Sequence, residues 1–476
     1  MFKYKIAVIL ILLLAAILRF YNLPSSFVFA GDEEHQAILA QTIIKHFHII
    51  WIGVNAAHLG FYLGPFWVYF TSIWLYLSNG NPLITGYVSS FIGVTTTLLV
   101  IITGSALFNR RTGLLTGMLY ASLPLIVYSD QKYWNPTPIP FLSLLMLLSL
   151  WKSKQNQKWL IIFAAAFGLV FHTHLSLIPL IFIALFWCIK QKISPSKKII
   201  FLSLGVFLLM IAPLIAFDYF HKGSNITTPL RYSEITSDYR NQIHPVQHFN
   251  AFFQFLGRIW YIKSPSNNSD EVITSCTNAS RIGNPNTEGI SQRYNPPLFL
   301  SLMGLGILVL FLISKKTRQN KASILLALFI IAITLPFLLF PGGSFEYYLL
   351  GIFPLLIFLP GIFLDYFPEL KPVIITAFFL AVILGINTVI SNKSDFGLGA
   401  KQSLIKQVLS FISNKPFELK QEGLCHFYEG WRYLFILNGK KPERSESDKG
   451  LGWLYQSEIT QNPVQYTVIL SESRVP

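Results

Sequence analysis

Apolar runs of fifteen to twenty-five residues recur along almost the whole of this 476-residue chain. A helical run of that length spans the hydrocarbon core of a bilayer, and a helix satisfies its own backbone hydrogen bonds there. Because the chain is 53% hydrophobic and only 12% charged, little of its sequence suits a water-exposed globular surface. The sequence therefore predicts an all-α polytopic membrane protein.

The predicted spans number about eleven. We expect residues 6–18 to remain as an uncleaved anchor, because no small-residue cleavage site follows them. Ten more spans are predicted at about 83–108, 113–130, 134–151, 159–172, 175–189, 199–217, 298–314, 322–340, 347–364 and 372–391. They define a transmembrane domain over residues 1–391, which includes a first loop at 24–82 and a long polar loop at 218–297.

The distribution of lysine and arginine predicts the orientation. If the aromatic segment 61–77 lies along the membrane, sixteen basic residues collect on one side: Lys3, Lys5, Arg110, Arg111, Lys152, Lys154, Lys158, Lys190, Lys192, Lys197, Lys198, Lys315, Lys316, Arg318, Lys321 and Lys371. The short segments of the other side hold only Arg19, Lys45 and Lys132. Such asymmetry is typical of a cytoplasmic face. The formal charge of +15 is therefore interpreted as a topology signal, and no nucleic-acid partner is predicted.

Three consecutive carboxylates, Asp32, Glu33 and Glu34, follow the anchor and open an amphipathic stretch. Asp32 is predicted as the N-cap of a helix, with the two glutamates in its first turn, where the helix dipole favours negative charge. Capping explains one acid, whereas desolvating three acids beside a membrane is costly unless they have a use. The pattern therefore favours a functional site in the first external loop.

A second external turn, residues 129–136, carries Asp130. Carboxylates supplied by two loops could act as an acid and base pair or could bind a divalent metal ion, with Asp32 and Asp130 as ligands. A solvated loop acid is the alternative interpretation of Asp130. His172 and His174 are two residues apart, so we interpret them as polar caps of a turn in preference to metal ligands.

Other polar residues have simpler interpretations. Tyr347 fits an aromatic belt at the membrane interface. The arginines of the long loop are expected to be solvated charges unless an anionic group binds there: Arg231, Arg240 and Arg258. The three cysteines show no metal-ligand spacing, and pairing of Cys276 with Cys425 stays open.

The tail, residues 392–476, mixes acidic and basic residues nearly evenly. It has a helical pattern at residues 404–412 and a strand-like alternation at residues 465–470. The sequence predicts a small external α+β domain. We expect it to modulate acceptor access and to carry no catalytic group.

Four stretches together resemble a known family. They are the Gly-Asp-Glu at residues 31–33, His58-Leu-Gly-Phe-Tyr-Leu-Gly-Pro65, Leu107-Phe-Asn-Arg-Arg-Thr-Gly-Leu-Leu115, and the acid-containing stretch from Pro124 to Pro136. This pattern resembles the GT-C membrane glycosyltransferases. More narrowly, it is similar to the protein O-mannosyltransferase and aminoarabinose transferase group of the family 39 type. The likeness covers residues 1–220 and recurs weakly at residues 345–354.

The resemblance implies an inverting transferase that moves a sugar from a polyprenyl-phosphate donor to a hydroxyl of a lipid, glycan or protein acceptor. It also implies a location in the cell membrane, among membrane lipids, with the active site outside. By this likeness Asp32 matches the first-loop catalytic acid, Glu33 its neighbour and Asp130 the second-loop acid.

One position departs from the family pattern. Glu346 lies where related enzymes tend to present a basic residue near the lipid phosphate. The cation for that phosphate is therefore unassigned, with Lys132 and Arg231 as candidates. The other candidate substrate-binding residues are Glu34, His58, Asn135, Glu346 and Tyr347.

A transporter or lipid flippase is the main alternative. Such proteins place ionisable residues near the bilayer midplane and have matched halves with broken helices. Here the span centres are nearly free of charge, and no matched halves are evident. A structural or receptor protein would leave the first-loop carboxylates unexplained.

Overall fold

Helices dominate the computed structural model, which describes residues 2–47, 49–55, 61–230, 245–262, 296–340, 345–392, 397–413, 415–422 and 430–471. The first half contains α1 Phe2–Phe20, α2 Leu23–Ser26, α3 Gly31–His46, α4 Phe66–Leu77, α5 Leu83–Leu107, α6 Arg110–Ser122, α7 Pro124–Gln131, α8 Ile139–Ser153, α9 Trp159–Thr173, α10 Leu180–Lys190, α11 Lys197–Phe220 and α12 Ser224–Leu230. The second half contains α13 Pro245–Arg258, α14 Leu298–Ile313, α15 Lys315–Gln319, α16 Lys321–Leu339, α17 Phe353–Leu356, α18 Phe358–Tyr366, α19 Lys371–Ser391, α20 Leu398–Ile412, α21 Trp431–Leu437 and α22 Asp448–Leu451.

Each predicted span falls on helical structure. Among the described residues, five helical stretches are long and apolar enough to cross a membrane, and six if the pair α6 and α7 counts as one broken span. Several other predicted spans coincide with apolar helices of 10–17 residues. The chain is a multi-pass membrane protein, and the total of eleven spans stays a prediction.

Two of the predicted spans are not single continuous helices. The span at 113–130 is divided into α6 and α7, which meet at an angle of 65°, with Pro124 at the start of α7. Proline lacks the backbone N–H of a helix interior and its ring clashes with the preceding turn. The span at 347–364 starts with a 3-10 turn, Glu346–Ile352, and continues as α17 and α18.

The helices differ in how much of their surface other helices cover. The stretch Glu346–Tyr366 has 83% of its most apolar window buried inside the protein, so it lies at the centre of the bundle. The corresponding window of α11 is only 11% buried. A soluble monomer rarely exposes so continuous an apolar surface, whereas a lipid-facing helix does so by design.

The long loop contains structure that its polar composition does not predict. Helix α13 lies in this loop and buries Phe252, Phe255 and Leu256 in the main hydrophobic core. It packs against α14 and α16. Arg258, at its last position, is buried, so the expectation of a solvated charge is wrong for this residue.

The tail contains α20, α21, α22 and a three-stranded parallel sheet. Its strands are β1 Phe417–Glu422, β2 Arg444–Ser445 and β3 Tyr466–Ser471, in the order β2-β1-β3. The helix and the strand predicted in this region are therefore present.

The tail shares one hydrophobic core with the first loop. That core includes Phe27, Phe29 and Trp67 from the loop together with Leu398 and Phe435 from the tail. The tail therefore packs directly on the segment that carries the three acids. The boundary at residue 392 stays a prediction.

Candidate active site

The three acids in the first turn of α3 have different surroundings, because successive side chains of an α-helix point about 100° apart around its axis. The N-cap is Ala30, so the predicted capping role of Asp32 is wrong. Glu33 supplies the helix-start interaction instead, because its Oε2 accepts a hydrogen bond from the Ala30 N–H at 3.2 Å. Asp32 lies one residue earlier, in the first turn.

The Asp32 side chain is exposed. Within the described parts of the chain it has neither a hydrogen bond nor an ion pair. Its carboxylate is therefore available to a bound molecule. This is the arrangement that a proton acceptor for a substrate hydroxyl requires.

Glu33 is buried, with only 2% of its surface exposed. Burial raises the pKa of Glu33 from 4.5 to about 7, while Lys132 opposes the rise and Asp32 adds to it. Its second oxygen, Oε1, is buried without a hydrogen-bond partner among the described residues. A carboxyl group in this state can gain or lose a proton near neutral pH and can still accept one more hydrogen bond.

Glu34 is fully buried and is directed into the tail. Its two oxygens accept hydrogen bonds from the backbone N–H groups of Gly430 and Tyr433, each at 2.9 Å. The Ser447 hydroxyl lies 3.4 Å from Glu34 Oε2. These contacts give Glu34 an intramolecular role, and its predicted contact with substrate is untested.

Asp130 is also buried, and Arg19 contacts it in an ion pair with an N–O separation of 2.7 Å. Arg19 is fully buried and also donates to the carbonyl oxygens of Tyr120 and Ala121. The Tyr120 carbonyl is the one that residue 124 would bond in a continuous helix, and proline has no N–H to offer it. Arg19 thus donates to the backbone carbonyl that the break between α6 and α7 leaves unpaired, and its ion pair holds Asp130 at the same place.

The segment after Asp130 faces the first turn of α3. Lys132 is half-buried, lies near enough to Glu33 to act on its pKa, and stacks over the Trp134 ring at 3.8 Å from its centroid. Gln36 donates to the side-chain oxygen of Asn135, which in turn donates to the His172 carbonyl at 3.2 Å. Glu33 and Gln36 are three residues apart on one helical face, so the two loops meet along that face.

Several buried polar atoms without a hydrogen-bond partner lie where α3 packs against the segment that follows Asp130. Besides Glu33 Oε1, they include Gln36 Oε1 and Trp134 Nε1, counted within the described residues. Buried polar groups usually have hydrogen-bond partners, so such a group of atoms favours a binding site for a polar ligand. Sequence reasoning missed Gln36 and Trp134. The helical spacing of Gln36 from Glu33 was the signal that could have identified it.

The turn after α16 completes one side of this region. Tyr347 contacts Trp134, with ring centroids 4.9 Å apart, and also contacts His174 at 5.4 Å. Glu346 is buried in an ion pair with Arg258. The structure therefore brings Tyr347 to the Lys132 segment and places Glu346 against α13.

The histidine interpretations agree with the structure. His172 accepts a hydrogen bond from the Phe66 N–H at 3.2 Å, and its other ring nitrogen lies 2.8 Å from the Met210 carbonyl oxygen. His174 caps the following 3-10 turn by accepting from the Ser176 N–H. His58 and Arg231 lie outside the described residues.

The two candidate metal ligands have different surroundings. Asp130 is engaged by Arg19, whereas Asp32 is exposed on α3. Within the described part of the chain, no group of three or more His, Cys, Asp or Glu side chains is arranged to hold a metal ion. A divalent metal ion bound by Asp32 and Asp130 stays a prediction.

Comparisons with known proteins identify the fold. Over residues 63–217 the chain matches the family model described as dolichyl-phosphate-mannose-protein mannosyltransferase. The crystal structure of ArnT from Cupriavidus metallidurans bound to undecaprenyl phosphate matches with a TM-score of 0.58 at 13% identity, covering 95% of this chain and 89% of that chain. The chain has the GT-C fold. ArnT in its apo state matches with a TM-score of 0.58 at 12% identity, covering 95% and 88%.

A comparison with curated protein sequences finds no match. The family match includes Asp130, Lys132 and Asn135 but begins after α3. The three first-turn acids therefore lie outside the family match, and only the structure of this chain places them. That geometry sets exposed Asp32 next to buried Glu33, and Lys132 lies near enough to Glu33 to act on its pKa. Such an arrangement could accept a proton and balance a negative charge.

Proposed function

We propose that this chain is an inverting membrane glycosyltransferase. It transfers a hexosyl or pentosyl group from a polyprenyl-phosphate donor to an acceptor hydroxyl at the external face of the cell membrane. The observation that carries the proposal is the first turn of α3, where exposed Asp32 adjoins buried Glu33 and Lys132 lies near enough to act on the Glu33 pKa, in a chain with the GT-C fold. The family match to lipid-phosphate-dependent mannosyltransferases supports the donor class.

Asp32 is the proposed base. The acceptor hydroxyl oxygen attacks the anomeric carbon, and the bond from that carbon to the phosphate oxygen breaks with its electron pair leaving on the phosphate. Asp32 takes the hydroxyl proton. Attack opposite to the departing phosphate inverts the configuration of the anomeric carbon.

Lys132 is the proposed cation for the departing phosphate. It is half-buried and near enough to Glu33 to act on its pKa, and a cation in a site with little water stabilises developing negative charge more strongly than it would in bulk water. Glu33 orients Lys132 and keeps the local charge balanced. Arg231 and His58 stay candidates for contacts with the donor.

Asp130 is proposed to act through position. Its ion pair with Arg19 fixes the end of α7, and the residues that follow, Lys132 and Asn135, then reach α3. Tyr347 and Trp134 offer aromatic faces beside them, which suit the apolar face of a sugar ring. Glu34 and Glu346 have intramolecular partners, so we give them supporting roles only.

The test uses purified full-length protein in detergent with a polyprenyl-phosphate sugar labelled in the sugar. We expect free polyprenyl phosphate to form only when a hydroxyl acceptor is added, and the product to have the opposite anomeric configuration. Movement of the intact donor across vesicle membranes without transfer would instead favour a flippase. Retention of configuration would contradict the proposed single displacement.

A further inference from the structure

The tail holds the segment that leads into α3 from several sides. The Leu398 N–H donates to the Phe27 carbonyl at 2.8 Å. Lys401, which is buried, donates through Nζ to the Phe29 carbonyl at 2.6 Å. With the two backbone bonds to Glu34, the tail therefore contacts the chain at Phe27, Phe29 and Glu34.

The fit at Gly430 leaves no room for a side chain. Its φ of +97° lies in the region that favours glycine, and an added Cβ would be 2.6 Å from the Phe29 carbonyl oxygen. The Phe29 ring also packs on Tyr433, with centroids 5.5 Å apart. The start of α21 therefore packs tightly against the residues immediately before α3.

Helix α3 is held at a second level by the same tail helix. Tyr433 accepts a hydrogen bond from Gln41 at 3.2 Å and donates to the Gly80 carbonyl at 2.7 Å. Glu34 and Gln41 are seven residues apart, which is roughly 10 Å along a helix. Contacts at two levels fix both the position of a helix and its rotation about its own axis.

We propose that the tail is a positioning element for the catalytic helix, with Glu34 as its main positioning residue. Glu34 fixes the rotation of α3 that turns Asp32 outward and Glu33 toward Lys132. Without the tail, the Glu34 carboxylate would lose both backbone donors that fix its position. The proposal rests on the proposed function, and it gives the tail a larger role than control of acceptor access.

The test compares three single variants of the full-length protein and the double variant that combines Glu34→Gln with Gly430→Ala. Glu34→Gln weakens the carboxylate contacts and Gly430→Ala obstructs the same contact from the tail side. Glu418→Gln is the matched control, because this tail carboxylate has its ion-pair partners, Lys420 and Arg444, within the tail. Each variant is assayed for kcat, for the donor KM, and for hydrogen exchange in residues 31–37 and in α5.

We expect kcat to fall about ten- to a hundredfold in Glu34→Gln and Gly430→Ala, because small displacements of a reacting group are costly. The donor KM should change by less than about threefold on the same principle. Exchange should rise in residues 31–37 and stay native in α5. The double variant should lose little more than either single one, because both disrupt one contact.

Native kcat in both variants, or unchanged exchange at residues 31–37, would overturn the proposal. So would additive losses in the double variant. If the wild-type protein transfers no sugar, the proposed function fails on its own, and the exchange data still decide whether the tail holds α3. A merely structural role would instead lower protection in α5 together with activity.

Discussion

Glu33 is the residue whose charge state is most sensitive to its surroundings. It is buried at the start of α3, beside Lys132 and one residue from Asp32. Because burial raises its pKa to about 7, its charge changes near neutral pH. Its effect on stability and its effect on transfer should therefore both change in the same pH window.

Transfer by the wild-type protein should rise with pH through about 7 if ionised Glu33 is needed beside Lys132. The same group stabilises the folded protein below pH 4.5 relative to high pH, and this contribution is lost as pH rises through about 7. Glu33→Gln should be slower above pH 7 and lack the inflection. The measurement is a pH profile of kcat together with thermal unfolding at each pH.

Lys132→Met is the companion variant for this profile. Lys132 lowers the pKa of Glu33, so its removal should move the inflection to higher pH. An unchanged profile in both Glu33→Gln and Lys132→Met would show that another group titrates. A shift to lower pH in Lys132→Met would contradict the assigned contact.

Residue-level roles were only partly predictable from the sequence. The acid cluster and Asp130 stand out because charged groups beside apolar runs need a reason. The different environments of these acids could not be predicted from the sequence. The environment of Glu34, for example, depends on Gly430 and Tyr433, which lie about 400 positions further along the chain. Composition does not show which residues so far apart in the chain will be in contact.

At the scale of elements, the break between α6 and α7 organises the site. Pro124 ends the hydrogen bonding of α6, and Arg19 from α1 bonds the freed Tyr120 carbonyl while pairing with Asp130. Three helices are thereby joined at one point. Periodicity predicted the helices themselves, but the break depends on one proline, and the partner that satisfies it comes from a separate helix.

Asp130→Asn should therefore act mainly on stability. Removing one charge of a buried pair typically costs about 3–5 kcal/mol, because the other charge is left uncompensated. We expect a clear fall in the unfolding temperature measured in detergent. Asp365→Asn is the control, since this acid is exposed and should change stability by less than about 1 kcal/mol.

The double variant Arg19→Met with Asp130→Leu separates a structural pair from a catalytic acid. Without either charge, the fold should recover part of the lost stability. If Asp130 positions the following segment, the folded double variant should keep measurable transfer. Native stability of Asp130→Asn with abolished transfer would instead make Asp130 a catalytic residue.

For the molecule as a whole, charge placement predicts that the amino terminus is inside and the tail outside. The test replaces the native cysteines and introduces Gln407→Cys in α20 or Gln155→Cys after α8, both at exposed positions. A membrane-impermeant reagent added to intact cells should label only Gln407→Cys. Labelling of Gln155→Cys alone would reverse the topology and place the α3 acids on the cytoplasmic side.

Whole-molecule features show the limits of sequence reasoning in another way. Hydropathy predicted the bundle, and alternation at residues 465–470 predicted the strand that the structure has at Tyr466–Ser471. The shared core of the tail and the first loop was not predicted, because Phe27 and Leu398 each fit a buried site without specifying the other. The sequence pattern of the tail, taken by itself, therefore predicted an accessory domain.

The most direct test of the account is transfer by Asp32→Asn at matched membrane abundance. Asparagine keeps the shape of the side chain, and Asp32 does not cap α3, so the fold should be unchanged. Glu369→Gln, which alters an exposed acid elsewhere, is the control. The account predicts a loss in sugar transfer on the order of a hundredfold or more in Asp32→Asn, with donor binding intact. Near-native transfer by Asp32→Asn would contradict it and remove Asp32 from the chemistry.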